Sequence, residues 1–354
     1  MKTLVQNIEA LSQRVGRDVK LMEVCGTHTM AAFRSGLRQL LPGCVHLVSG
    51  PGCPVCVTDP SYLDAAIDLC GRPGVIVATF GDLVRVPGTD SSLERERAAG
   101  ASVRIVYSPS DALILARECP SKQVVFLGVG FETTVPTVAW AIWRAARDDL
   151  KNFSVLCAHK AMPRAMDALV RDKAINIDGF ICPGHVSVIT GAHIYRFICE
   201  RYRIPCVVSG FEAWDILKSI ELLLRQLAEG RAQVENEYSR SVSEHGNAAA
   251  QRLMNEVFEP CDTAWRGIGM IEGSGLAIRE QYAGFDAVKV LGVQFPKAHV
   301  NPLCNCGSVL RGVASPLDCQ LFGRPCSPAH PIGPCMVSGE GVCAAYYKYE
   351  RIAA

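Results

Sequence analysis

The chain has 354 residues, of which 49% are hydrophobic and 20% are charged, and this balance is typical of a globular protein with two or three domains. A formal net charge of +1 provides neither a basic surface for nucleic acid nor an attraction to anionic membranes. The longest apolar run, residues 124–131, is too short to span a bilayer. The N-terminus lacks the apolar segment of a secretory signal. We therefore expect a cytoplasmic protein with no nucleic-acid or membrane partner.

The cysteine content is the unusual feature, because the chain contains 17 cysteines. A disulfide framework belongs to small secreted proteins, and this chain is large with an odd number of thiols. In a reducing compartment, clustered cysteines indicate metal ligands or redox thiols, whereas scattered ones serve as small core residues. The positions of the cysteines along the chain therefore distinguish candidate metal ligands and redox thiols from core residues.

From the N-terminus to about position 220, short β-branched runs alternate with helix-like segments. This alternation predicts an α/β fold with parallel sheets and crossover helices. The predicted strands are 19–24, 45–48, 75–80, 103–107, 124–128, 153–157, 179–182 and 206–209. The predicted helices are 59–70, with Asp59 as N-cap and Pro60 as first helical residue, followed by 133–150, 162–173 and 215–229.

The two halves of this region resemble each other. "MEVCGTHTM" and "SVLCAHKAM" each place a cysteine at a strand end with a histidine close behind. A Pro-Gly pair then follows at the same distance in both halves, with Pro51 after Cys25 and Pro183 after Cys157. The repetition predicts two similar α/β domains, residues 1–120 and 121–230, although generic strand–turn–helix units can coincide in this way.

The composition and periodicity of the sequence change from about residue 231. A polar helical stretch to Phe258 precedes a loop-rich, cysteine-rich tail with little periodicity of its own. Residues 231–354 are therefore predicted to form a third domain that a metal centre holds together.

The tail contains six cysteines between positions 304 and 343. Four thiolates are what a [4Fe–4S] cluster or a structural zinc ion requires. A zinc ribbon would supply two close Cys-x-x-Cys pairs, and the tail has none. Wide, irregular spacing with intervening Pro and Gly favours loops around a cluster, and structural zinc remains the alternative.

A Cys-x-x-Cys pair, Cys53 and Cys56, lies in "SGPGCPVC" directly after a predicted strand. Two thiols at this spacing can form a disulfide or bind a metal, and the arrangement often lowers the pKa of one thiol. No second pair lies at zinc-site distance, which favours a redox dithiol over half of a metal site. Two structural thiols in a turn are the remaining alternative.

Cys25 and His28 follow a predicted buried strand, at the carboxyl end where open α/β sheets place their ligand sites. A thiolate beside an imidazole suits a transition metal such as iron, or a Cys–His nucleophile pair. A core cysteine with a hydrogen-bonded histidine explains the motif equally well.

Two further motifs follow strands later in the chain. In "GFETT", Glu132 can serve as an acid, a base or a group that orients a ligand, and Thr133 and Thr134 can cap the next helix. In "CPGHVS", His185 occupies the equivalent turn of the second half, where a structural and a functional role are both open.

Taken together, these strings resemble the HypD family of hydrogenase maturation proteins. The resemblance extends from about residue 21 to residue 349 and rests on "MEVCGTHTM", "SGPGCPVC", "GFETT", "CPGHVS" and "CMVSGEGVCAAYYKY". The family's cluster pattern is C-x₁₄-C-x₆-C-x₁₆-C, and the matching positions are Cys304, Cys319, Cys326 and Cys343. Cys306 and Cys335 are left as extra thiols.

The resemblance implies a redox-active scaffold that assembles the Fe(CN)2CO unit of [NiFe]-hydrogenases with a small HypC-type chaperone and a HypE-type cyanide donor. It implies that Cys25 binds the transient Fe(II) with His28 beside it. Cys53 and Cys56 would be a redox dithiol near the [4Fe–4S] cluster, through which electrons reach the iron site. Glu132 carries the family's GFETT motif.

Two other classes of protein stay open at this point. One is a stand-alone, cluster-dependent thiol–disulfide oxidoreductase, which would have no need for the separate Cys25–His28 site. The other is a structural zinc protein with an unrelated α/β body.

Overall fold

A computed structural model describes residues 1–350. Within that range the chain forms eleven strands. They are β1 (Val19–Glu23), β2 (Val45–Ser49), β3 (Val75–Thr79), β4 (Val103–Ile105), β5 (Gln123–Gly128), β6 (Phe153–Cys157), β7 (Gly179–Pro183), β8 (Cys206–Ser209), β9 (Val234–Asn236), β10 (Phe258–Trp265) and β11 (Gly269–Ile278). The eight predicted strands correspond to β1–β8.

Helices connect and cover the strands. In chain order they are α1 (Lys2–Val15), α2 (Gly26–Arg34), α3 (Leu37–Leu40), α4 (Pro54–Val57), α5 (Pro60–Gly71), α6 (Gly81–Val84), α7 (Leu93–Ala98), α8 (Pro109–Glu118), α9 (Val135–Arg147), α10 (Met162–Arg171), α11 (Gly184–Thr190), α12 (Arg196–Tyr202), α13 (Ala213–Ala228), α14 (Ala248–Val257), α15 (Ala287–Leu291), α16 (Cys306–Leu310), α17 (Pro334–Val337) and α18 (Val342–Tyr349). Short 3-10 helices cover Ala192–Tyr195, Glu280–Phe285 and Pro316–Asp318.

Two parallel sheets form the body of the protein. Sheet A has the order β2-β1-β7-β8-β9, and sheet B has the order β4-β3-β5-β6, with every neighbouring pair parallel. Both sheets are flanked by crossover helices, as parallel sheets require. The predicted α/β class with two parallel sheets is confirmed.

The sheets do not follow chain order. Sheet A takes β1 and β2 from the beginning of the chain and β7–β9 from residues 179–236, and all of sheet B lies between them in sequence. Strand β1 pairs with β7 in a register that sets Leu21 opposite Gly179. The strands of the predicted domain 1–120 are thus shared between two sheets, and the division into domains 1–120, 121–230 and 231–354 stays a prediction.

Local chemistry explains the helix starts, with one correction. Asp59 caps α5 as predicted, because its Oδ1 accepts from the Ser61 backbone N–H at 2.9 Å, and Pro60 is the first helical residue. The predicted cap of α9 is wrong in detail. The Thr134 hydroxyl makes no cap and instead donates to the Phe131 carbonyl at 3.2 Å.

The region after residue 231 also differs from the prediction. Only its second part is helical, as α14, and the loop-rich tail expected after Phe258 begins with an antiparallel hairpin of β10 and β11. The tail proper, after α15, contains only short helices and extended segments. A hairpin with Pro260 in one strand and several glycines in or beside the other has little of the alternation that predicts strands.

Three apolar cores pack the two sheets against their helices and against each other. One core lies between sheet A and α1 and α13, and another between sheet B and α8 and α9. The largest core joins the facing sides of both sheets and extends to Cys306 and Cys335 in the tail. None of the helices within residues 1–350 combines the length and the apolar character that spanning a bilayer requires.

Candidate metal centre

The carboxyl ends of strands from both sheets face one cavity of about 240 Å³. Residues that follow β1, β2 and β7 of sheet A line one side, and residues that follow β3 and β5 of sheet B line the other. Polar and thiol side chains in its lining are Cys25, Asp82, Thr133, Thr134, His185 and Glu340. This is the edge at which parallel α/β sheets bind ligands.

Cys25 is the thiol of this cavity. It follows β1 as the N-cap residue of α2 and is 8% exposed. The backbone of Gly52 runs so close to Cys25 that a Cβ at position 52 would overlap its main chain, so glycine is required there. Burial and the nearby Glu340 carboxylate raise the pKa of Cys25 to about 11, against hydrogen bonds from Thr27 and His28. Metal binding at this thiol therefore releases a proton.

His28 lies one turn further along α2 and is completely buried. Its Nε2 lies 2.9 Å from the Gly210 carbonyl oxygen, so Nε2 carries the proton and donates. Nδ1 has no hydrogen-bond partner among residues 1–350. Burial lowers the pKa of His28 to about 4, so the ring is neutral. Of its two nitrogens, only Nδ1 is free to bind a metal.

His185 follows β7 and lines the cavity directly. Its ring stacks on Phe211 at 3.9 Å between centroids, and the same phenylalanine stacks on His28 at 4.7 Å. Phe211 thus stands between the two histidines and fixes both rings. The sequence placed His28 and His185 in separate halves, and the fold brings them to one aromatic residue.

Glu132 lies beside the cavity but points away from it. Its Oε1 accepts from the backbone N–H of Met162, the first residue of α10, at 2.9 Å, and Oε2 is buried without a partner in the described part of the chain. Burial raises the pKa of Glu132 to about 7. Of the GFETT motif, Phe131, Thr133 and Thr134 face the cavity, and Glu132 joins the loop after β5 to α10.

Cys53 and Cys56 lie directly behind the cavity wall. Their Sγ atoms are bonded as a disulfide, and the Cys56 backbone N–H donates to Cys53 Sγ at 3.1 Å. Both residues are buried, while Pro54 and Val55 between them line the cavity. The disulfide is thus separated from the Cys25 cavity by the single turn of α4.

The six cysteines of the tail surround a second, apolar cavity. Those matching the family's cluster pattern, Cys304, Cys319, Cys326 and Cys343, line it together with Leu321, Phe322 and Met336. Four thiols around an apolar, partly buried cavity fit the donor set of a [4Fe–4S] cluster. Wherever the structure describes the chain, no three His, Cys, Asp or Glu side chains converge as the ligands of a single ion.

Cys306 and Cys335 contact each other, with their Sγ atoms 2.9 Å apart, and each also interacts with a thiol of the cluster pattern, Cys306 with Cys304 and Cys335 with Cys343. Both are buried, and Cys335 lies on α17, which packs against α4 of the disulfide. The family's cluster pattern leaves these two thiols unassigned. No sequence pattern indicated this contact.

The tail also reaches the Cys25 cavity itself. The Thr27 hydroxyl donates to Glu340 Oε1 at 2.6 Å, and burial with the neighbouring Asp82 raises the pKa of Glu340. Helix α18, which begins just before Cys343, packs on α2. No sequence pattern indicated Glu340 or Asp82, because a single carboxylate has no distinctive spacing. The tail therefore links the six-thiol cavity to the Cys25 cavity.

Fold and site together define an α/β protein with a thiol-lined cavity between two parallel sheets and a cysteine-rich C-terminal tail. The HypD family model, described as the hydrogenase formation hypA family, matches residues 1–350. The hydrogenase maturation factor HypD of Rhodobacter capsulatus is 47% identical over 98% of this chain and 95% of its own length. That of Azotobacter vinelandii is 48% identical over 95% and 90%. A putative hydrogenase expression/formation protein of Methanocaldococcus jannaschii is 42% identical over 99% and 98%. The chain belongs to the HypD family.

Proposed function

We propose that this protein is a [NiFe]-hydrogenase maturation factor that acts as a redox-active scaffold. It holds Fe(II), its substrate, at Cys25 together with a HypC-type chaperone while cyanide from a HypE-type donor and CO are added to give the Fe(CN)2CO unit. The observation that carries this proposal is the juxtaposition of three thiol groups. They are the lone Cys25 thiol in its own cavity, the disulfide behind the cavity wall, and the six-thiol cavity on the other side of that disulfide.

The Cys25 cavity has the properties that an iron assembly site needs. Its volume of about 240 Å³ admits an iron with small ligands and leaves room for the partner's donor atom. A soft thiolate anchors Fe(II), and His185, Asp82 and Glu340 are further donors or proton acceptors that line the same cavity. His28 stays a predicted ligand through Nδ1, and its fixed ring also orients α2.

Cys304, Cys319, Cys326 and Cys343 would hold a [4Fe–4S] cluster, which supplies single electrons when bound. The other two tail thiols, Cys306 and Cys335, and the α4 disulfide exchange electrons two at a time. A thiolate of the Cys306–Cys335 pair attacks the Cys53–Cys56 disulfide, and a mixed disulfide forms. The second thiol of the pair resolves it. Two electrons and two protons pass to α4, and the attacking pair becomes the disulfide.

The reduced Cys53–Cys56 dithiol then supplies the two electrons that cyanide transfer requires. One thiocyanate group of the donor and two thiols give one donor thiol, one HCN and one disulfide. The cyanide carbon binds the iron at Cys25 and its proton leaves. The sequence offers Glu132 as an acid, a base or an orienting group and leaves the role of His185 open. We assign His185 to the cavity wall, where a proton can be taken up, and Glu132 to positioning α10.

The alternative, a stand-alone thiol–disulfide oxidoreductase, would use the same disulfide and thiol pair. It does not explain why Cys25 lies in a separate cavity with its own histidine and carboxylates. Cargo binding at Cys25 distinguishes the two proposals.

The test is infrared spectroscopy of the chain co-purified anaerobically with its HypC-type partner. The scaffold predicts CN and CO stretching bands, their loss in Cys25→Ala, and normal bands in Cys119→Ala, a matched thiol at the end of α8. Cys53→Ala and Cys56→Ala should lose the bands yet keep the iron of the cluster. Bands that persist in Cys25→Ala would overturn the assignment of the iron site.

A further inference from the structure

One buried arginine has no counter-ion within the described part of the protein. Arg266 lies in the turn between β10 and β11 and is 9% exposed, and its Nη1 has no hydrogen-bond partner there. None of the ion pairs formed within residues 1–350 includes it. A buried guanidinium N–H without a partner costs free energy, because it has lost its hydration without gaining an acceptor.

The surroundings of Arg266 show where that anion belongs. Its backbone N–H donates to the Val57 carbonyl at 2.9 Å, at the end of the α4 turn that carries the disulfide. The next residue, Gly267, is packed so tightly against Gly307 that a Cβ would overlap the Gly307 Cα. These two backbone contacts fix the turn between α4 and the start of α16. The turn of Arg266 therefore lies beside Cys306, the residue before Gly307, at the cavity that the tail thiols line.

We infer that Arg266 is the internal counter-cation of the tail's metal centre and sets its reduction potential. The inference rests on the proposed function, because it requires a cluster held by Cys304 and its three partners. Four thiolates and a cluster carry net negative charge, which a fixed guanidinium in a poorly hydrated position offsets. Reduction adds one more negative charge, so the arginine stabilises the reduced form more than the oxidised form. Its charge raises the potential and keeps the cluster reducible inside an apolar pocket.

The experiment compares cluster potentials in purified, reconstituted full-length protein by redox titration followed by electron paramagnetic resonance. Arg266→Met removes the charge and keeps much of the side-chain volume. Arg266→Lys keeps the charge. Arg324→Met removes a charge just before Cys326, from a more exposed position where water and salt screen it.

We expect Arg266→Met to lower the equilibrium constant for one-electron reduction about tenfold, which corresponds to about 59 mV toward more negative potential. Arg266→Lys should stay close to the unmodified protein, and Arg324→Met should shift by a smaller amount. Failure of Arg266→Met alone to assemble the cluster, with assembly in Arg266→Lys, would also support the counter-cation role.

Equal potentials in Arg266→Met and the unmodified chain would overturn the inference and leave the proposed function intact. Loss of the cluster in both Arg266 variants would also overturn it, because shape rather than charge would then be required. If the unmodified chain assembled no cluster under the same conditions, the proposed function itself would fail, and iron and sulfide analysis detects that outcome before any potential is measured.

Discussion

The buried carboxyl of Glu132 gives the sharpest test of the role assigned to the GFETT motif. Burial raises its pKa from 4.5 to about 7, so the folded protein holds the carboxyl proton over a pH range in which the unfolded chain has already released it. Between about pH 4.5 and 7 the folded state therefore binds more protons, and the free energy of unfolding falls as pH rises. The size of this loss is about 3 kcal/mol, because each pKa unit corresponds to about 1.4 kcal/mol.

Glu132→Gln removes this pH dependence of the free energy of unfolding, since an amide does not ionise in that pH range. The Gln oxygen can still accept from the Met162 N–H, and its buried NH₂ group lacks an acceptor at the position of the unpartnered Oε2. That penalty lowers the stability of the variant by about 1–3 kcal/mol at every pH. The difference in unfolding free energy between the variant and the unmodified chain should therefore shift by about 3 kcal/mol in favour of the variant between pH 5 and pH 8.

The assay is urea unfolding of the apo protein, followed by circular dichroism at several values between pH 5 and pH 8. Glu118→Gln, which removes a carboxylate from an exposed position at the end of α8, is the matched control. If the difference between Glu132→Gln and the unmodified chain stayed constant with pH, the carboxyl would not titrate as its burial requires, and the reasoning would be refuted.

Three further predictions concern the thiols, the cavity wall and the tail. Cys335→Ser should leave the α4 disulfide oxidised when the holoprotein is treated with a low-potential reductant, while bound iron is retained. Alkylation followed by mass spectrometry measures the state of the disulfide, and a reduced disulfide would exclude the proposed exchange. Gly52→Ala should destabilise the fold by at least about 1–3 kcal/mol through overpacking, whereas Gly43→Ala, which meets nothing within 4 Å, should be nearly neutral in thermal unfolding. Tyr346→Phe removes the acceptor for Arg38 Nη1 at 3.3 Å and should cost about 1 kcal/mol, measured as a lower Tm; an unchanged Tm would show that α18 is held by packing alone.

Sequence patterns predicted the elements of this fold better than their arrangement. The β-branched runs identified β1–β8 because buried parallel strands consist of such residues. The same runs gave no information that β1 would pair with β7. In that pairing Leu21 lies opposite Gly179, and every strand of sheet B lies between these two residues in the sequence. The β10–β11 hairpin was missed because it is held by tertiary contacts, such as the burial of Trp265, rather than by an alternating pattern.

The candidate site shows the same division. Cys25, His185 and the Cys53–Cys56 pair were recognised because short-range spacing at strand ends has chemical meaning. Glu340 reaches the cavity from the loop between α17 and α18, and Asp82 reaches it from α6 after β3; neither carboxylate belongs to a motif that local spacing reveals. The contact of Glu132 with the Met162 N–H depends on the position of α10 and could not be predicted from the sequence, and the acid or base role of Glu132 stays a prediction.

The insertion of sheet B into sheet A also determines how the cavity between them can change shape. The backbone passes from sheet A to sheet B after β2 and returns after β6, and after β9 it packs on sheet B again through α14 on α9 and α15 on β6. Helix α18 then packs on α2, beside sheet A, and a common apolar core joins the facing sides of the two sheets. Moving the sheets apart would break the contacts of several segments at once, so these connections oppose a change in the width of the cavity.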